Sequence, residues 1–362
     1  MNSEMLITAP GPDALAVLRD RPITTADKGF GPLAARLLRE TGQPLTAGWL
    51  AGQRPALLGG EFSFPLMTLR DSALAHNIAG MAAYCARAGV ELAPHGKASM
   101  SPQLAARQLA AGAWGITVAT VGQLQAYREY GVRRLLLASE LTDRAGIGWL
   151  AGELAADPGL EAYCYVDSLD GVALLDAELR GCGRWQGRRL PVLVELGHDD
   201  GRTGARTVAG AVEVARAAAA TQTLRVAGVA GYEGSLGEAS QAAPLTAAAA
   251  YCGRLRELAL ALDAAGIALS GQLVTAGGSG FFDVVTRELT AGWPGQAPVI
   301  VLRSGAYLSH DHGMYARASP AERGTAPGLT LRPAFELWAG VLSRPEPGLA
   351  LLSAGRRDVA FD

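Results

Sequence analysis

From residue 90 onward, short apolar runs alternate with longer stretches that are rich in alanine or leucine. The runs have the length of buried strands, and the stretches have the length and composition of helices. The eight predicted strands are Glu91–Pro94, Gly115–Ala119, Arg134–Ala138, Glu161–Val166, Leu190–Leu196, Val226–Tyr232, Gly271–Thr275 and Val299–Arg303. The helices predicted between them include Gln103–Ala111, Val121–Tyr130, Ser168–Arg180, Val208–Thr221 and Thr246–Ala265.

Eight strands that alternate with helices indicate parallel βα units and an α/β fold. The number of units and their total length of roughly 220 residues match a (βα)8 barrel of the TIM type. An open doubly wound sheet is the alternative that periodicity alone leaves open.

The chain before this region has a different pattern. Residues 1–60 are punctuated by Pro and Gly and contain one amphipathic helix candidate, Leu33–Thr41, so they are predicted to form an extension. Glu61–Leu69 has the composition of a strand, and Pro65 places it at a sheet edge because proline cannot donate to a ladder. Ser72–Arg87 follows as a predicted helix.

The pattern changes again after the eighth predicted strand, where prolines separate short apolar runs. Further strands are predicted at Leu329–Leu331, Glu336–Leu342, Leu349–Leu352 and residues 356–362. We therefore predict a barrel domain at residues 61–310 and a partial, apparently shortened β-rich domain at residues 311–362, which the strand at 61–69 joins. A domain that ended inside a strand would leave an open sheet edge.

Composition narrows the class of protein. The chain has 362 residues, of which 49% are hydrophobic and 18% charged, which excludes disorder. A net charge of −2 argues against a nucleic-acid partner. No apolar run approaches the ~20 residues that span a bilayer, and no signal peptide is recognisable at the N-terminus. The sequence contains no CxxC pair among its cysteines, which are Cys85, Cys164, Cys182 and Cys252. This spacing is typical of reduced thiols and predicts a cytoplasmic location.

Lysine is scarce, since Lys28 and Lys97 are the only lysines among 32 basic residues. Arginine replaces lysine as a surface charge but not as an amine that must lose its proton. Lys97 follows the first predicted strand of the barrel. An amine at the mouth of an apolar barrel is partly desolvated, which lowers its pKa and favours attack on carbonyl groups. The alternative is an ordinary surface lysine.

A glycine-rich turn, TAGGSG at residues 275–280, follows the seventh predicted strand and precedes a predicted helix. Its backbone N–H groups are suited to an anion such as phosphate, and Gly305 and Ala306 after the eighth strand add further donors. A plain strand-to-helix turn is the alternative. A reactive lysine and a phosphate cradle together suit pyridoxal 5'-phosphate, whereas no GxGxxG motif supports a dinucleotide.

The segment PHGKASMSPQLAARQLAAGAWGITVAT resembles the start of the fold-type III pyridoxal-phosphate enzymes, specifically the D-threonine aldolase and D-serine dehydratase-like family. GHDDGRTGAR, GYEGS, VTAGGSG and RSGAYLSHDHGMY follow in the order that this family shows, so the resemblance covers roughly residues 60 to 362. The ASM after the lysine and the DHGMY motif are closest to the amino acid deaminase, or cryptic D-serine dehydratase, branch. The resemblance implies a barrel of the alanine racemase N-terminal type.

The resemblance also implies roles for particular residues. Lys97 would form the internal aldimine and remove the α-proton, Arg202 would contact the cofactor ring and its phenolic oxygen, and Tyr232 would lie near the pyridine nitrogen. Tyr307 would border the substrate. The phosphate would be bound by Thr275, Gly277, Gly278, Ser279, Gly305 and Ala306. His95 would point the same way as Lys97 if both lay on one strand, and could then act in catalysis or serve as a structural hydrogen-bonding residue.

Family dehydratases and aldolases also use a His-x-Cys pair to bind a divalent metal, zinc or manganese, beside the substrate β-hydroxyl. The present sequence shows no such pair, and His310 with His312 would supply only two ligands. We therefore predict no metal-ligating residue here, although the family implies a metal.

The predicted function is a lyase acting on D-β-hydroxy amino acids, of the D-serine or D-threonine dehydratase (deaminase) type. Retro-aldol cleavage of the D-threonine aldolase type and a non-catalytic homologue that binds pyridoxal phosphate are the alternatives. A racemase would need a second base that the sequence does not identify. The predicted partners are a small D-amino acid and a second copy of the chain, in a homodimer where one barrel meets the other β domain.

Overall fold

The computed structural model describes residues 12–24, 26–267 and 271–359. The elements before residue 70 are α1 (Pro12–Asp20), β1 (Pro22–Ile23), α2 (Gly31–Thr41), β2 (Leu45–Thr46), α3 (Ala47–Gln53) and β3 (Leu66–Leu69). β1 and β2 pair antiparallel, and Leu33, Leu37 and Leu45 form a small core of their own. The predicted strand Glu61–Leu69 begins only at Leu66, directly after Pro65.

The eight predicted βα strands form one parallel sheet. They are β4 (Glu91–Leu92), β5 (Ile116–Val118), β6 (Arg134–Glu140), β7 (Glu161–Val166), β8 (Leu190–Leu196), β9 (Leu224–Gly231), β10 (Leu273–Ala276) and β11 (Val299–Leu302). The strands follow one another in the order β4-β11-β10-β9-β8-β7-β6-β5. The two edges meet where His95 bridges Thr117 and where the Trp114 N–H donates to the Leu92 carbonyl at 2.7 Å. The sheet therefore curls round on itself, and the doubly wound alternative is wrong because the strand order never reverses.

Helices cover the outside of this sheet. They are α4 (Asp71–Ala88), α5 (Pro102–Ala110), α6 (Val121–Glu129), α7 (Arg144–Ala156), α8 (Leu169–Gly181), α9 (Val208–Ala220), α10 (Ala242–Ala264), α11 (Phe282–Leu289) and α12 (Tyr315–Ala318). Thr120, Asp143, Ser168 and Thr207 each cap a helix by accepting an N–H bond three residues on. These caps fix the point at which each of these helices begins, at one rim of the barrel. Among the described residues, no helix is long and apolar enough to cross a membrane.

The barrel interior is apolar at its centre and polar at the carboxyl end of the strands. Leu136, Leu193 and Val301 pack inside the sheet. Because alternate residues of a strand face the same side, Glu195, two residues after Leu193, also faces inward. Glu195 therefore places a carboxylate at the rim that carries the candidate site.

The C-terminal strands are β12 (Phe335–Trp338), β13 (Val341–Glu346) and β14 (Leu349–Leu352). β12 pairs antiparallel with β3, and β13 pairs with β14. The predicted strand Glu336–Leu342 is thus divided between two elements. Residues 356–358 form a turn rather than the predicted strand, and residues 360–362 lie outside the described residues.

Leu329–Leu331 is not a strand, so that prediction is wrong. Its two leucines are buried against the barrel core. The Asn77 side chain bonds the backbone that follows, because its Nδ2 donates to the Arg332 carbonyl and its Oδ1 accepts the Arg332 N–H, both at 2.8 Å. A side chain thus takes the place of a strand partner, which apolar patterning cannot reveal.

Candidate functional site

A cavity of about 250 Å³ opens at the carboxyl end of the barrel strands. Most of the residues predicted to form the site line it. They are His95, Lys97, Arg202, Tyr232, Gly278, Ser279, Gly305 and Ala306. The fold therefore brings the lysine and the two glycine-containing turns to one opening, from segments more than 200 residues apart in the chain.

Lys97 lies in a short 3-10 turn, Gly96–Ala98, that follows β4. The Tyr127 hydroxyl donates to the Gly96 carbonyl at 2.9 Å, and a Cβ at Gly96 would lie 2.6 Å from the Tyr127 ring. These contacts fix the turn. Partial burial lowers the pKa of Lys97, and the positive charges of Arg202 and Arg303 lower it further. A larger share of the amine is therefore neutral near pH 7 than for a free lysine.

His95 lines the cavity beside Lys97, but for a different reason from the predicted one. His95 is extended whereas the next three residues form the 3-10 turn, so strand alternation does not set its direction. Burial lowers the pKa of His95 to about 3, with added effects from Lys97 and the nearby arginines. Its Nδ1 is buried and has no hydrogen-bond partner. A neutral imidazole with an unpaired buried nitrogen is suited to a polar atom of a bound molecule.

Part of the predicted phosphate cradle, Ser279 with Gly305 and Ala306, lines the cavity. The N–H groups of Gly305 and Ala306 converge on the Ser279 hydroxyl at 3.3 and 3.1 Å. A Cβ at Gly305 would lie 2.6 Å from the His95 carbonyl oxygen, so this close approach requires glycine. Two converging donors beside a hydroxyl can hold an anionic oxygen.

The other part of the cradle binds a buried carboxylate of the protein. The N–H groups of Gly277 and Gly278 donate to the fully buried Glu233 carboxylate at 3.2 and 2.5 Å. Gly278 still lines the cavity, whereas Gly277 does not. The double glycine thus anchors a carboxylate from the end of β9.

Two further predicted residues face elsewhere. The Thr275 hydroxyl is buried, donates to the Val301 carbonyl at 2.8 Å and accepts from Arg303. Tyr307 is buried, accepts a bond from Gln108 at 2.8 Å and lines a different cavity. The structure therefore does not agree with a phosphate contact from Thr275 or a substrate contact from Tyr307.

The loop after β8 carries Arg202, whose guanidinium lies 5.4 Å from the centroid of the Tyr232 ring. This distance is that of a cation–π contact. The loop is held at both ends, because the Gly197 N–H donates to Ala205 at 2.9 Å and the Gly204 N–H donates to Asp167 at 3.0 Å. Arg202 is consequently presented from a constrained loop.

Sequence reasoning missed several residues that line the cavity, among them the charged residues Arg303 and Glu195. Arg303 is buried at the end of β11 and donates to the Gly231 carbonyl at 2.5 Å and to the Thr275 hydroxyl at 2.7 Å. The signal for Glu195 was a single charge in the otherwise apolar run LPVLVEL. Such a charge is costly to bury without a function or a partner.

Glu195 belongs to an acidic group with Glu140 and Asp167, whose nearest carboxylate oxygens lie within 4.8 Å of one another. Burial raises the pKa of Glu140 to about 8, and the neighbouring charge of Glu195 acts in the same direction. The Glu140 carboxyl is therefore largely protonated near neutral pH. Within the described residues, no group of three possible metal ligands includes the HxH histidines; His310 instead faces Glu322 at 3.4 Å.

We expect Gly305→Ala to destabilise the protein by ~1–3 kcal/mol, because the new methyl group cannot fit beside His95 without a backbone shift. The measurement is urea unfolding of the protein without cofactor. Gly253→Ala is the matched control, since this helical glycine has no other atom within 4 Å of its Cβ position. That control is expected to gain ~0.5–1 kcal/mol. Equal stability of the Gly305→Ala variant and the wild type would contradict the close approach.

Comparisons with known proteins agree with this geometry. A family model described as alanine racemase, N-terminal domain, matches residues 70–295. The 3-hydroxy-D-aspartate aldolase of Paracoccus denitrificans is 28% identical over 85% of this chain and 76% of its own length. The crystal structure of D-threonine aldolase from Filomicrobium marinum superposes with a TM-score of 0.68 and 26% identity, over 83% of this chain and 76% of that one. A mutant form of D-threo-3-hydroxyaspartate dehydratase superposes with a TM-score of 0.63 and 25% identity, over 83% of this chain and 72% of that one.

Proposed function

The chain belongs to the alanine racemase N-terminal domain family, and from that premise we propose that it is a pyridoxal-phosphate-dependent lyase of D-amino acids that carry a β-hydroxyl group. The relatives named above are aldolases and a dehydratase of hydroxylated D-amino acids, which supports this substrate class.

One observation carries the proposal: the Lys97 amine and the Gly305–Ala306 donors line the same cavity. The residues present fit a phosphorylated aldehyde. The lowered pKa of Lys97 suits covalent attachment, and Ser279 with the two backbone N–H groups suits the phosphate. The unpaired Nδ1 of His95 provides a further polar contact.

When bound, pyridoxal phosphate supplies an aldehyde that links to amines and a ring that accepts the electron pair released at Cα. Lys97 would hold the aldehyde of the cofactor, and its free amine would be the base that takes the α-proton. The guanidinium of Arg202, which lines the same cavity, would hold the phenolic oxygen of the cofactor. Arg303 adds a buried positive charge to the cavity lining, which would attract the substrate carboxylate.

The finer proposal is loss of the β-hydroxyl, which yields a 2-oxo acid and ammonia. It rests on the motifs after Lys97 and at residues 311–315, which resemble the D-serine dehydratase-like branch. Retro-aldol cleavage to glycine and an aldehyde is the second candidate, favoured by the names of two relatives. If a divalent metal takes part, Glu140, Asp167 and Glu195 are the ligands to test.

The test uses purified protein loaded with pyridoxal phosphate and D-serine, D-threonine and D-3-hydroxyaspartate as substrates, with L-serine as the control. Ammonia and aldehyde are measured separately, after chelation and after addition of zinc or manganese. We expect ammonia from the D-isomers alone. Aldehyde without ammonia would favour the aldolase. A visible absorbance band of bound cofactor without either product would indicate a non-catalytic binding protein, and no band at all would overturn the proposal.

The homodimer and the cytoplasmic location stay predictions.

A further inference from the structure

A histidine and a serine that the proposed mechanism does not use face each other in the cavity. His198 follows β8, Ser235 follows β9, and both line the cavity with Lys97. The His198 Nε2 lies 2.8 Å from the Ser235 hydroxyl oxygen. The loops after two neighbouring strands thus bring an imidazole and a hydroxyl within hydrogen-bonding distance of each other.

The hydrogen bonds fix the tautomer of this histidine. Its Nδ1 lies 2.9 Å from the Asp199 carbonyl oxygen, which can only accept a hydrogen bond. Nδ1 therefore carries the proton in the neutral ring, and Nε2 accepts from the Ser235 hydroxyl. A base beside a hydroxyl, oriented by a third group, is the arrangement that proton transfer in enzymes requires.

The imidazole is also held in place by packing. A Cβ at Gly201 would lie 2.8 Å from the imidazole, so the ring lies against the bare backbone of that residue. The Tyr251 ring meets it edge to face, with the centroids 5.8 Å apart. The Tyr251 hydroxyl is itself bonded to the backbone at Leu196 and Tyr232. Orientation by several fixed neighbours is what a proton-transfer group needs.

We propose that His198 and Ser235 form the proton-transfer pair for the β-oxygen of the substrate. This inference rests on the proposed function. It separates the two proton transfers of the reaction: Lys97 serves the α-carbon, and the His198–Ser235 pair serves the β-oxygen.

Each route balances with this assignment. In elimination, the Cα–H proton passes to Lys97, the Cα–Cβ double bond forms, and the Cβ–O bond breaks with its electron pair on oxygen. Protonated His198 gives a proton through Ser235 to that oxygen, which leaves as water. In retro-aldol cleavage, the β-hydroxyl proton passes through Ser235 to neutral His198, and the Cα–Cβ bond breaks with its electron pair on Cα. The aldehyde leaves, and protonated Lys97 gives a proton to Cα, which yields glycine.

His198→Gln is the decisive variant, because its amide can keep the contact with Ser235 but cannot relay a proton. We expect formation of ammonia or aldehyde from D-serine, D-threonine and D-3-hydroxyaspartate to fall by roughly 10²–10⁴-fold. Exchange of the α-hydrogen of D-alanine in deuterated water is expected to stay at the wild-type rate, since D-alanine has no β-oxygen. Ser235→Ala is the second variant and is expected to lower product formation with the same exchange rate.

His76→Gln and Ser343→Ala are the matched controls, as both lie outside the cavity. They are expected to leave product formation and exchange unchanged. Wild-type product formation in His198→Gln, or a parallel fall of product formation and exchange, would overturn the inference and leave the proposed function standing. A wild-type protein that shows neither product nor exchange would overturn both.

Discussion

Replacing Lys97 by alanine is expected to abolish covalent attachment of the cofactor and to reduce turnover by about 10⁴-fold or more. The amine is proposed to act twice, first as the attachment point and then as the base for the α-proton. No other lysine can substitute, because Lys28 is the only other one in the chain and its Nζ is ion-paired with Asp358.

This scarcity of lysine makes the measurement direct. Borohydride reduction of the loaded protein fixes the cofactor to its lysine, and peptide mass spectrometry then distinguishes two possible positions. Lys28→Ala is the matched control and is expected to keep both the visible absorbance band and the activity. Lys97→Arg keeps the charge without a releasable proton and is expected to behave like Lys97→Ala. A label on Lys28, or an unchanged band in Lys97→Ala, would refute the assignment.

Sequence pattern predicted the barrel closely because each of its strands is buried on both faces. Leu190–Leu196, for example, reads as one apolar run because β8 contacts helices outside and packed side chains inside. The C-terminal region was less predictable. Leu329–Leu331 has the same apolar character, but the backbone of the next residue, Arg332, bonds to the side chain of Asn77, 255 residues earlier in the chain.

Some features of the site were likewise predictable from the sequence, and others were not. Lys97 was identifiable because a rare residue type follows the first strand of a barrel. The bond from Gly278 to Glu233 was not identifiable, because it joins two loops that only the curled sheet brings together. A glycine-rich turn provides donors, but sequence does not tell which acceptor is nearest. The same holds for His198 and Ser235, whose pairing depends on the adjacency of β8 and β9.

The second large expected effect concerns the acidic group of Glu140, Asp167 and Glu195 at the rim of the barrel. The pKa of Glu140 is raised from 4.5 to about 8 by burial and by Glu195, so the folded protein retains a proton that the unfolded chain releases. Stability must then fall as pH rises between these two values, by at most ~1.4 kcal/mol per pH unit from this group. Above pH 8 Glu140 has lost its proton in both the folded and the unfolded state, and the folded state bears the full free-energy cost of the buried charge.

Glu140→Gln is therefore expected to remove this contribution and to be more stable than the wild type above pH 8, by an amount on the order of several kcal/mol. The amide has the same shape and can still donate to Glu195. The measurement is the free energy of unfolding in urea, for protein without cofactor or metal, at pH 5 and pH 8.5. The lowered pKa of His95 affects both proteins equally and cancels in their difference.

Glu129→Gln, at an exposed site on α6, is the matched control and is expected to keep the wild-type pH dependence. Parallel pH profiles of Glu140→Gln and the wild type would show that the pKa of Glu140 is not raised in the folded protein.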